Sequence, residues 1–297
     1  MKYVITGGAG HIGHPLAQAL LNGGHEVIVI GRTPEKLQSL VDAGVKAAIG
    51  SIEDESFLAA TFTGADAVYL MIPPNYGVEN LRHFQNTIAR NYVAAITAAK
   101  VKYVVVLSSI GAHMKNGAGP VDGLADLEDL LSRLEDVNVK FLRPAYFMYN
   151  LFNMIPMIKN MHIMGGNFGG NEEKLVLAHT NDIAEAAVQE LSELNFSGHS
   201  VRYIASDEKT TNEIAEILSA AANKETPWVL FSDEQALEGA KQAGFSETLA
   251  EAFTTMGKAI REGKMQEDYW KNHPTLSHTK LEDFAKEFEQ AFNANNG

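Results

Sequence analysis

The sequence predicts an α/β protein: a doubly wound parallel Rossmann sheet with a smaller, mainly helical C-terminal lobe. Three observations carry this. Five short, nearly continuous apolar runs alternate with stretches of helical periodicity up to Leu107. Such runs are strands covered on both faces, because a half-exposed antiparallel strand alternates apolar with polar residues. The first run ends in a glycine-rich turn that opens a helix. Finally, 297 residues at 45% hydrophobic content suffice for one large domain or two modest ones with real cores.

In chain order, Lys2 to Thr6 is a strand, and Ile12 to Asn22 a helix with Ile12, Leu16, Ala19 and Leu20 on one face. Pro15 fits because it lies in the first turn, where no intrahelical donor is lost. Glu26 to Ile30 is the second strand, and Thr33 and Pro34 open a helix that Gly44 ends. Val45 to Ile49, Ala67 to Ile72 and Val101 to Leu107 are strands three to five. A short helix, Asp54 to Phe62, and a long amphipathic one, Val78 to Ala99, separate them. Beyond them, helix Leu124 to Leu134 precedes strand Val139 to Leu142. The run GGNFGG at 165–170 reads as a flexible loop, either one that closes over a bound ligand or a plain exposed one. Asn181 to Leu191 is helical and Ser200 to Ala205 a strand. Thr211 to Ala222 is a helix behind a threonine cap, and the remainder is mainly helical, with Phe284, Phe288 and Phe292 on one face. The domain division expected is 1–145 for the sheet domain, with returning segments about 174–205, and 146–173 plus 206–297 for the smaller lobe.

Composition narrows the function. Lys and Arg total 24 against 37 Asp and Glu, a net charge of −13. That opposes a nucleic-acid partner, which needs clustered cations. The absence of cysteine excludes disulfides, thiolate metal sites and a cysteine nucleophile, and agrees with a reducing compartment. No apolar run approaches the ~20 residues of a spanning helix, and no apolar signal region follows the start. A cytoplasmic, membrane-free protein is expected.

Within the turn Thr6-Gly7-Gly8-Ala9-Gly10-His11-Ile12-Gly13, three glycines recur at three-residue intervals. Gly7 permits a tight turn, Gly10 lets backbone approach a pyrophosphate, and Gly13 lets helix and strand pack closely. The free amides of the helix start would face the anion. An NAD site usually carries an acid at the end of the second strand, about 20 residues on. Here the tip reads Ile30-Gly31-Arg32-Thr33. Arg32 suits a 2′-phosphate, with Thr33 and Lys36 assisting, so the expected cofactor is NADP(H). The alternative is a solvated arginine paired with Glu35.

The glycine spacing resembles the short-chain dehydrogenase/reductase superfamily, and the chain more narrowly resembles its atypical, NmrA-like branch. TGGAGHIG at 6–13, Arg32, LSS at 107–109, FLRPAYFMYN at 141–150, NDIAEAA at 181–187 and TTNEIAEIL at 210–218 carry the resemblance. It implies a cofactor lying along Gly7, Gly10, His11, Ile12, Gly13 and Arg32, flanked by Ile72 and Pro73. Ser108 and Ser109 would approach the nicotinamide, and Pro144, Ala145 and Tyr146 would border its carboxamide. For the serines, hydroxyl capping of the strand end is an equal alternative. Most reductases of the superfamily use a Tyr and a Lys four residues later on the helix after the fifth strand. From Gly119 to Glu128 this chain has neither, and Leu124 stands where NmrA-like members commonly carry a lysine. Reduction of a carbonyl needs a proton for the developing alkoxide, whereas a quinone or extended dye spreads charge and needs it less.

The catalytic candidates are therefore Tyr146, Ser109 and His113, with Tyr149 as a pocket wall and no metal site. Met148, Met154, Met157, Met161 and Met164 suit either a wall for a flat aromatic acceptor, a lobe core or a homodimer surface. The leading expectation is an NADP(H)-dependent oxidoreductase acting on a small quinone-like or conjugated aromatic acceptor. Its rival is a non-catalytic NADP(H)-binding redox sensor. A sugar-nucleotide epimerase fits poorly without the Tyr–Lys pair.

Overall fold

A computed structural model describes residues 1–170 and 172–294. The first half alternates strand and helix as expected: β1 (Lys2–Thr6), α1 (Gly13–Asn22), β2 (Glu26–Gly31), α2 (Gln38–Ala43), β3 (Lys46–Ile49), α3 (Glu55–Phe62), β4 (Ala67–Leu70), α4 (Leu81–Ala99) and β5 (Tyr103–Leu107). Then come α5 (Asp122–Leu131), β6 (Asn138–Pro144), β7 (Tyr146–Phe147), α6 (Ile155–Met161), β8 (Met164–Gly166), β9 (Lys174–Ala178), α7 (Thr180–Glu193) and β10 (His199–Ile204). The C-terminal part holds β11 (Asp207–Thr210), α8 (Thr211–Ala222), β12 (Trp228–Leu230), α9 (Asp233–Gln242), α10 (Glu247–Arg261), α11 (Glu267–Asn272) and α12 (Leu281–Ala294).

Seven parallel strands form the main sheet in the order β10-β6-β5-β4-β1-β2-β3. The chain runs outward from β1 to β3, then crosses back to β4 on the other side of β1. The strand order thus reverses at the β1–β4 junction, the switch point where open α/β sheets bind ligands. Two cores cover the sheet, one on each face. Tyr3, Ile5, Val29 and Val105 point into one, and Val4, Val68, Val104 and Val106 into the other. That is why these strands read as unbroken apolar runs. Helix starts follow their caps: Asp54 accepts from the Phe57 amide, Asn80 from His83, and Thr210 forms a capping box with Glu213. Helix α1 has no capping side chain.

Two expectations about the second half need correction. The strand starting at Lys174 does not rejoin the main sheet. It lies in a three-stranded sheet, β11-β9-β7, and the chain returns to the main sheet only at His199. Nor is 165–170 a flexible loop. Gly165 and Gly166 are strand residues of β8 paired with β12, and Asn167 and Phe168 are buried. The glycines serve close packing: a Cβ on Gly165 would sit 2.4 Å from the Val229 carbonyl oxygen, and Gly169, at φ +78°, backs onto Thr211. The methionine-rich segment is mainly core. Met148, Met154 and Met164 are buried, while Phe284, Phe288 and Phe292 bury the inner face of α12, with the Phe152 ring stacked on Phe288. No helix among the described residues is long and apolar enough to cross a membrane.

Candidate functional site

A trough runs across the C-terminal ends of β1, β2, β4, β5 and β6. It consists of two cavities, of about 380 and 580 Å³, that share Gly7, Gly10, Met71, Pro73 and Pro74.

The smaller cavity is the charged end. Its floor is the turn after β1. Gly7 sits at φ +71°, and the Gly10 amide donates to its carbonyl at 3.0 Å. A Cβ on Gly13 would fall 2.2 Å from that carbonyl oxygen, so this position admits only glycine without moving the turn. The amides of His11 and Ile12 find no acceptor among the described residues, since α1 begins uncapped beside them. Thr6 locks the turn to β4 by accepting from the Met71 amide at 2.8 Å. Arg32, Thr33 and Lys36 line the far wall. Arg32 is exposed and makes no ion pair or hydrogen bond among the described residues, so the Glu35 pairing does not occur. Backbone donors and an uncommitted guanidinium suit a phosphorylated ligand.

The larger cavity is the apolar end, and it gathers side chains from distant segments. Ile72, Pro73 and Tyr76 follow β4. Leu81 and Gln85 come from α4, Leu124 from α5, Tyr146 and Phe147 from β7, and Phe253, Met256 and Ile260 from α10. Of the expected residues, Gly7, Gly10, His11, Ile12, Gly13, Ile72, Pro73, Ser108, Ser109 and Tyr146 all face it. Burial, with a smaller push from Tyr76, raises the Tyr146 hydroxyl to about 12. It therefore stays a neutral phenol at physiological pH, and it makes no hydrogen bond among the described residues. The Ser109 hydroxyl is likewise unpartnered. The exposed Tyr149 packs its ring on His11 at 4.2 Å, over the mouth of the glycine turn.

Three expected site residues have other places. Pro144 does not line the trough; its carbonyl accepts from the Ile110 amide at 2.9 Å inside the sheet edge. Ser108 reaches the cavity wall, but its hydroxyl donates to Glu128 of α5. His113 lies in a single helical turn behind the wall, outside the lining. Both its ring nitrogens are buried without a hydrogen-bond partner, and burial, with help from the Arg143 charge, holds it below the usual imidazole range. None of the five methionines at 148–164 lines the cavity.

The sequence reading missed what supports the apolar end. Arg143, inside the LRP run, is buried and grips Glu128 with both edges, Nη2 to Oε2 at 2.6 Å and Nε to Oε1 at 3.0 Å. Its third arm takes the Tyr203 hydroxyl at 2.9 Å, and that phenol donates to Asp268. Burial opposes the Arg143 charge, but Glu128 outweighs it and holds the guanidinium protonated. α5 thus turns Leu124 to the cavity and keeps the Glu128 carboxylate behind it as a structural group. The contribution of α10 had no signal beyond amphipathic spacing, which cannot say what a helix packs against.

Residues 2–286 match the NmrA-like family. An NADPH-dependent quinone oxidoreductase from Escherichia coli, solved with NADPH, superposes with a TM-score of 0.82 at 22% identity, covering 96% of this chain and 99% of that one. The NAD(P)H azoreductase of Xenophilus azovorans is 26% identical over 258 residues, 85% of each chain. A structure described as a nucleoside-diphosphate-sugar epimerase from Staphylococcus aureus gives a TM-score of 0.78 at 18% identity, covering 96% of this chain and 100% of that one. The fold alone therefore does not fix the reaction.

Proposed function

We propose that this chain, which belongs to the NmrA-like family, is an NADP(H)-dependent oxidoreductase that reduces a quinone-like or conjugated aromatic acceptor. The observation that carries the reading is one continuous trough with a cradle for a phosphorylated nucleotide at one end and an uncharged aromatic wall at the other. The named activities of the E. coli and X. azovorans relatives support it.

The residues present fit the cofactor. The lack of a Cβ at Gly7 and Gly13 lets the turn fold tightly against Met71 and onto itself, and the His11 and Ile12 amides would take the pyrophosphate. Arg32 would pair with the 2′-phosphate, with Thr33 and Lys36 beside it. Ile72 and Pro73 would flank the path toward the apolar end, where the nicotinamide would supply a hydride, two electrons and a proton, to the acceptor. There the chain orients a planar molecule between Tyr146 and the α10 side chains and excludes water. Tyr146, held as a neutral phenol, would donate a hydrogen bond to the oxygen or nitrogen that gains charge, and Ser109 stands as a second donor. The remaining proton comes from solvent. His113 has no part in this step, because it does not face the cavity.

The missing Tyr–Lys pair favours the second reading, a non-catalytic NADP(H)-binding redox sensor. Steady NADPH oxidation with a panel of quinones and azo dyes separates the two. Turnover with any of them supports the enzyme; tight NADPH binding with no turnover supports the sensor. For the cofactor, Arg32→Ala is expected to weaken NADPH binding roughly 10- to 100-fold, the worth of one or two charged hydrogen bonds. NADH binding should stay unchanged. Equal affinity of wild type for both cofactors, unaltered by the substitution, rules NADP(H) preference out.

A further inference from the structure

Resting on the oxidoreductase reading, we infer that the apolar end selects its acceptor by charge: it takes uncharged planar molecules and rejects their sulfonated or carboxylated analogues. Among the described residues, no Lys, Arg, Asp or Glu lines that cavity. Its polar side chains include the Tyr146 phenol, the Ser109 hydroxyl and the Gln85 amide, and its one imidazole, His11, stands in the glycine turn against the Tyr149 ring. The phenol, hydroxyl and amide can donate to a carbonyl but cannot neutralise an anion.

The arginines beside this cavity are committed elsewhere. Arg82 flanks Leu81 but closes a two-point pair on Asp126, at 2.7 and 2.8 Å. Arg143 behind Ser108 is saturated by Glu128 and Tyr203. Arg261, next to Ile260, is held by Asp233 at 2.9 Å. The uncommitted guanidinium of the trough, Arg32, lines only the opposite cavity. A sulfonate carried in with the acceptor would be stripped of water without compensation, a large cost. The net charge of −13 adds a weaker, salt-screened repulsion.

The test uses matched pairs with the full chain: 1,2-naphthoquinone against its 4-sulfonate, and 1-phenylazo-2-naphthol against its 4′-sulfonate. An electron-withdrawing sulfonate makes the ring a better hydride acceptor, so chemistry alone would favour the anion. The expected result is the reverse: kcat/KM for the sulfonate lower on the order of 100-fold, about 2.7 kcal/mol. The same order should appear in equilibrium displacement binding to the NADP⁺-loaded protein, and it should persist in 0.5 M salt. Met256→Lys and, separately, Leu81→Lys should each narrow the ratio at least about tenfold by supplying the missing cation. Equal use of both members of a pair, or a preference that vanishes in high salt, overturns the inference while leaving the oxidoreductase standing. Failure to oxidise NADPH with the uncharged members sinks that reading instead. Should a lysine variant not fold, the wild-type binding comparison still decides.

Discussion

At one end of the trough the floor is backbone, supplied by neighbouring residues between Thr6 and Gly13, with the free Arg32 a strand away. At the other end the wall is side chain, assembled from α4, α5, β7 and α10, and it carries no formal charge among the described residues. The first rests mainly on local geometry: a glycine turn between a strand and a helix aims its own amides, with Thr6 tied to the Met71 amide. The second depends on elements from across the chain, one of which, α5, is tied down by a buried ion pair. Glu128 of α5 meets Arg143 of β6, and through Tyr203 and Asp268 the network reaches α11. A phosphate site can thus be built from a few consecutive residues, whereas a shaped apolar site requires the whole fold.

The sharpest way to break this comparison is to cut the network. Arg143→Met strands the buried Glu128 carboxylate and should cost about 3–5 kcal/mol, a fall in melting temperature on the order of 10 °C. If the two ends are independent, NADPH affinity measured by calorimetry stays within about threefold. Loss of cofactor binding in a folded Arg143→Met protein would show that the ends are one unit. Gly13→Ala makes the opposite cut. Its methyl would meet the Gly7 carbonyl oxygen at 2.2 Å, so the turn must shift. NADPH affinity should fall on the order of 100-fold, the loss of one or two charged hydrogen bonds. Intrinsic fluorescence and melting should change far less than in Arg143→Met.

The smallest effect concerns His113, behind the apolar wall. Its folded-state value lies below the ordinary imidazole value of about 6.5. The unfolded chain therefore takes up a proton first as pH falls. The stability linked to this histidine is complete above pH 6.5 and declines as pH drops toward the folded value. Melting temperatures at pH 7.5 and 5.5 should differ less in His113→Gln than in wild type. An identical difference would mean that the burial of this ring is energetically silent.

Legibility in the sequence follows the same division. The five early strands, the glycine turn and the Arg32 tip were readable because each rests on local rules: continuous apolar runs, glycine spacing, and the residue at a strand end. Tyr146 and Ser109 were placed at the trough from their positions after strands. The reading went astray where a residue's role depends on a distant partner. GGNFGG looks flexible in isolation, but Val229 and Thr211 pack so closely that only glycine fits. Which of the two readings applies to Ser108 also hangs on a distant residue: its hydroxyl donates to Glu128, while the residue itself still reaches the cavity wall. Pro144 and His113 lie near the right strand ends and still face away from the cavity.

The order of apolar runs and turns thus determined the parallel sheet and the anion cradle, because backbone geometry and short-range patterning dictate them. Only the tertiary structure decided the shape and neutrality of the acceptor end. Residues as far apart as Leu81 and Ile260 meet there, and whether each nearby arginine is free or already paired depends on partners that no spacing along the chain reveals.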